Sequence, residues 1–113
     1  MPARLKVLTA AELERADAAS DTRALVKHYL AVLETRAPGR SVEVRVPPFA
    51  AVQVIPGVRH TRGTPPAVVE TDAETWLALA VGRTTWSEAL DSGTVVASGE
   101  RTDLTPYLPL TTH

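Results

Sequence analysis

The sequence predicts an α+β domain: a twisted, mainly antiparallel sheet of four or five strands with helices packed on one face. Three stretches carry that expectation. Residues 41–46 alternate strictly, with Val42, Val44 and Val46 on one face and Glu43 and Arg45 on the other, the pattern of a half-buried strand. Thr22–Arg36 sets Leu25, Val26, Tyr29, Leu30, Val32 and Leu33 in one broad stripe of helical period. Residues 68–99, VVETDAETWLALAVGRTTWSEALDSGTVVASG, read as strand, helix, tight turn, helix and strand.

Residues 1–8 are short and mixed. Thr9 opens T-A-A-E, a capping box, so residues 10–19 read as a short helix whose apolar face is little more than Leu13 and Ala16. A helix that short is marginal alone in water and has to pack or fray. Residues 1–20 are therefore taken as an appendage and residues 21–113 as a single domain. Ser20 and Asp21 are N-cap candidates for the helix that follows, and Pro38-Gly39 ends it. His28 falls opposite the centre of its apolar stripe, which predicts a solvated imidazole.

Pro47-Pro48 stops the first strand, because neither residue donates to a ladder. Residues 49–55 form a second strand, with Val52 and Val54 on one face, and the two strands read as an antiparallel hairpin. Pro56-Gly57 is a turn signal, and the polar segment VRHTRGTPP follows it. Ala67–Thr71 resumes as a strand. Thr71 to Glu74 reads as a second capping box, opening a helix with Ala73, Trp76, Leu77, Ala80 and Val81 on its apolar face and Gly82 as its stop. Leu79 lies off that stripe and widens it, so the helix meets two surfaces or leaves one leucine exposed. Thr85 and Glu88 box a further helix with Trp86, Ala89 and Leu90 on its apolar face, closed by Gly93. A short strand runs from there to Gly99. Asp103-Leu104-Thr105-Pro106 looks like a capped final turn, and the apolar Tyr107-Leu108-Pro109-Leu110 should lie over an apolar surface.

Composition removes several functions. The chain has 113 residues, a net charge of −1 and 44% hydrophobic residues, enough for one small core and too apolar for a disordered chain. No basic block is present to displace counterions from a nucleic acid. There is no cysteine, so no disulfide, thiolate nucleophile or cysteine metal site is expected. The histidines His28, His60 and His113 lack ligand spacing, so neither a metal nor another cofactor is implied. No G-x-S-x-G elbow, P-loop or G-x-G-x-x-G occurs. Glu70, Asp72 and Glu74 gather at a helix start, where capping and the helix dipole explain them without catalysis. No apolar run is long enough to span a membrane, and the N-terminus has no apolar signal-peptide core, which points to the cytoplasm.

Residues 68–99 resemble the sterol carrier protein 2 (SCP2) superfamily in their apolar helix, Gly82, the helix bearing Ala89, Gly93, the short strand and Gly99. The flanking RVPPFAAVQV, HTRGTPP and DLTPYLPL look like the small bacterial sterol-carrier orthologues. The resemblance implies a non-enzymatic lipid carrier whose cavity lies between sheet and helices. The implied ligand is a fatty acid, an acyl-CoA or a sterol-like molecule. The expected apolar lining is Phe49, Val52, Trp76, Leu79, Trp86, Leu104 and Leu108. His60 and Arg62, two apart in the H-x-R-G segment, are the candidate polar mouth for a carboxylate or phosphate; a loop arginine paired with a nearby acid explains the same residues. The alternative is an accessory or interaction module with a filled core, able to pair with a second copy of the chain as a homodimer, which resembles the C-terminal domains of mycothiol-dependent maleylpyruvate isomerases.

Overall fold

A computed structural model describes residues 5–57, 67–99 and 102–111. Their elements run α1 (Ala10–Ala18), α2 (Thr22–Arg36), β1 (Val42–Val46), β2 (Ala50–Val54), β3 (Ala67–Thr71), α3 (Ala73–Val81), α4 (Trp86–Ser92), β4 (Val95–Ser98) and a 3-10 turn at Thr105–Tyr107. The fold is α+β, as the alternation of strand and helix periods predicts.

The four strands form one sheet in the order β2-β1-β3-β4. β1 and β2 make the antiparallel hairpin, with Val44 opposite Val52, and β3 pairs antiparallel with β4. β1 and β3 run parallel, with Val44 opposite Val69, so the sheet is mixed at its centre. This register gathers Val42, Val44, Val46, Val52, Val54, Val69 and Val95 on one side, all buried. The other side carries Glu43, Arg45, Gln53 and Glu70. Arg45 lies 3.6 Å from Glu43 and 3.8 Å from Glu70, an exposed cluster worth at most about 1 kcal/mol per pair.

The buried face is covered by α2, which packs on β2 and on α3. Val26, Leu30 and Leu33 of α2 and Trp76, Leu79 and Ala80 of α3 are essentially solvent-free. Asp21 caps α2, its carboxylate accepting from the Ala24 N–H at 3.1 Å. Both T-x-x-E boxes at Thr9 and Thr85 form with reciprocal hydrogen bonds.

The third box does not form. Asp72 caps α3, accepting from the Thr75 N–H at 2.7 Å. Thr71 stays in β3, buried, and its hydroxyl donates to the Thr94 carbonyl at 2.8 Å. A strand position and an N-cap compete for the same residue, and the adjacent aspartate takes the cap. Val81 and Leu90, expected on apolar faces, remain 37% and 40% exposed.

His28 is a second correction. It is only 5% exposed, not solvated. Chain outside α2 covers it, the Leu8 N–H donating to its Nδ1 at 3.0 Å; within the helix its ring meets Tyr29 edge-on at 4.7 Å. Helical periodicity within α2 does not contain that cover.

The junction of α2 with the hairpin is tight. The Ile55 N–H donates to the Ala37 carbonyl at 2.6 Å, and the Ile55 carbonyl accepts from the Ser41 N–H at 3.2 Å. Ile55 sits at φ 71°, strained for a β-branched residue, and its buried side chain offsets the cost. Gly39 runs against this backbone: a Cβ there would stand 2.1 Å from the Ile55 oxygen.

Candidate functional site

A half-open cavity of about 240 Å³ lies between the α3–α4 turn and the C-terminal tail. Leu79, Gly82, Thr84, Thr85, Trp86, Thr105, Leu108 and Pro109 line it. The first wall follows from the way α3 ends. Gly82 takes a left-handed conformation, the Arg83 N–H returns to the Ala78 carbonyl at 2.8 Å, and α4 starts at once behind its Thr85 cap. That short reversal brings Leu79 and Trp86 to the same cavity.

The second wall is the tail. Asp103 begins it, accepting from the Thr105 N–H at 2.9 Å and from the Thr105 hydroxyl at 2.6 Å. These bonds hold the Asp103 carboxyl below its ordinary pKa, the hydroxyl bond more than the backbone one. Leu104 and Leu110 are buried on either side of the exposed turn, as anchors. The Leu110 N–H donates to the Ala80 carbonyl at 2.8 Å. Arg36 grips the same stretch, one guanidinium nitrogen donating to the Pro109 carbonyl at 3.2 Å and the other to the Leu110 carbonyl at 2.9 Å. Leu108 and Pro109 are thereby held over the cavity.

Leu79, Trp86 and Leu108 of the expected lining come together here. The remaining expected residues sit elsewhere. Trp76 is fully buried, its indole N–H 3.4 Å from the Val26 carbonyl. Leu104 is fully buried beneath the tail, and Val52 is buried in β2. Phe49 is half-buried and packs on the edge of the core. His60 and Arg62 lie outside the described residues. Among the described residues no strand residue lines this cavity, which sits beside the helices and not between them and the sheet.

Gly82, Thr84, Thr85, Thr105 and Pro109 complete the lining beyond the expected residues. They occupy a turn, a helix cap and a tail. The signals they carry are those of chain reversal, which say nothing about what the reversal faces. The lining is mostly apolar, its polar members are all threonines, and none of the lining residues is charged. It can exclude water from a hydrocarbon chain; among the described residues its lining holds no acid, base or nucleophile set.

Among the described residues, no helix is long and apolar enough to cross a membrane. Comparison with curated proteins found no match. Residues 17–110, from the end of α1 to the anchoring Leu110, match the family described as "Bacterial SCP ortholog". That span holds the sheet, α2 to α4 and both walls of the cavity, and the chain belongs to this family of bacterial SCP orthologues.

Proposed function

We propose that the protein is a non-enzymatic binding module for an apolar small molecule, taking a hydrocarbon chain into the cavity beside Leu79, Trp86 and Leu108. The observation that supports this reading is the cavity itself, a mostly apolar space held open by a separately anchored tail. Burying a chain contributes about 0.8 kcal/mol per CH₂, so binding would depend on chain length more than on chain type. The volume of about 240 Å³ falls below the ~300–1,000 Å³ typical of drug-sized ligand sites. It suits part of an acyl or alkyl chain better than a complete sterol nucleus. Fatty acids, acyl-CoA and sterol-like lipids are thus ranked by how slender their apolar part is.

The test is extraction of the purified protein with organic solvent, with mass spectrometry of what is released, alongside titration with a fluorescent fatty-alcohol analogue. Leu108→Trp, on the half-buried tail wall, should fill the cavity and reduce uptake at least about tenfold with the fold retained. Uptake unchanged in that variant, with no lipid recovered from the wild-type protein, defeats the reading.

The alternative, an accessory or interaction module, needs an apolar residue that faces outward. Leu79 is only 1% exposed and offers no outward patch. Val96, 64% exposed on the edge strand β4, is the apolar residue a partner would meet. A dimer lost on Val96→Lys would favour that role.

A further inference from the structure

We propose, building on the binding role above, that the cavity selects ligands whose polar end is a hydrogen-bond donor without negative charge, such as an alcohol or an amine, over carboxylates. The argument rests on where the protons of the lining hydroxyls go. Thr85 and Thr105 both line the cavity. The Thr85 hydroxyl donates to Glu88 Oε1 at 3.0 Å and also accepts from the Glu88 N–H at 3.1 Å. The Thr105 hydroxyl donates to Asp103 Oδ1 at 2.6 Å.

A hydroxyl has one proton to give. Both of these are committed to carboxylates, so what the two threonines have left to offer a ligand is oxygen lone pairs. A carboxylate ligand is an acceptor only, and it would meet acceptors. An alcohol O–H or an ammonium N–H would meet a partner.

Charge points the same way. The groups directly behind the threonines are the anions Glu88 and Asp103, and among the described residues no cationic one lines the cavity. The first turn of α4, which would otherwise favour an anion, already holds Glu88. Thr84, also in the lining, is left able to donate or accept.

The experiment is calorimetric titration of the full chain with three probes of equal chain length: decanol, decylamine and decanoate, at neutral pH. Decanol and decylamine should each bind at least about threefold more tightly than decanoate, the scale of one hydrogen bond made at a partly open site. Asp103→Asn keeps an oxygen for the Thr105 hydroxyl and removes the charge; it should raise decanoate affinity several-fold and leave decanol unchanged. Thr105→Val should narrow the gap between decanol and decanoate. Equal affinities for the three probes overturn the selectivity and leave the binding role standing. Decanoate binding tightest also overturns it, and would direct attention to His60 and Arg62. If none of the probes binds, the binding role fails, and this inference with it.

Discussion

The Leu110 N–H donates to the Ala80 carbonyl at 2.8 Å, joining the C-terminal tail to the helix that carries Leu79. Helix α3 and a tail distant from it in sequence become two sides of one cavity through this bond and the Arg36 grip on Pro109 and Leu110. Arg36→Ala should therefore loosen the tail more than it destabilises the domain. The expected cost is about 1 kcal/mol, because the guanidinium is exposed. Hydrogen exchange at the Leu110 amide should quicken while the amides of β1 stay protected. Equal protection of Leu110 in both proteins would show that Arg36 does not hold the tail.

The two tryptophans should separate stability from binding. Trp76 is wholly buried, so Trp76→Ala should cost about 3–5 kcal/mol in denaturant unfolding. Trp86 is nearly buried but has the cavity on one side. Trp86→Ala should cost less stability and more affinity for a hydrocarbon probe. Equal effects of the two substitutions on binding would mean that Trp86 is no closer to the ligand than Trp76.

Gly39 cannot accept a side chain where it stands. A Cβ would sit 2.1 Å from the Ile55 oxygen, and that backbone is held by its own hydrogen bonds to Ala37 and Ser41. Gly39→Ala should lower stability by about 2 kcal/mol or more, read as a shift in the urea midpoint with little change in slope. Gly93, with nothing near its Cβ position, is the control: Gly93→Asn should cost much less.

His28 gives the fold a pH dependence. Burial lowers its pKa below the ordinary imidazole value, against the opposing pull of Asp17, and its Nδ1 must be unprotonated to accept from the Leu8 N–H. In the window between the depressed folded pKa and the ordinary value of about 6.5, the unfolded chain binds more protons than the folded one. Stability is then complete above that ordinary value and falls as the pH drops through the window. His28→Phe should flatten the unfolding free energy between pH 7 and 5. A slope unchanged in that variant would assign the acid sensitivity to other groups.

Local pattern determined a good deal of this protein. Val42, Val44 and Val46 announced a strand with one wet face, and Thr9 and Thr85 announced helix starts, because both depend on neighbours a few residues away. Thr71 shows the limit of such reading. Its capping potential was real, but pairing with β4 decided that its hydroxyl would serve the Thr94 carbonyl. The apolar tail was evident as a segment that had to be covered; what covered it was not. Only the tertiary structure decided the parallel pairing of β1 with β3, the cover over His28, and the meeting of Leu79 and Trp86 with Leu108. Each joins segments far apart in the chain, and no residue spacing within one segment records which distant surface will lie against it.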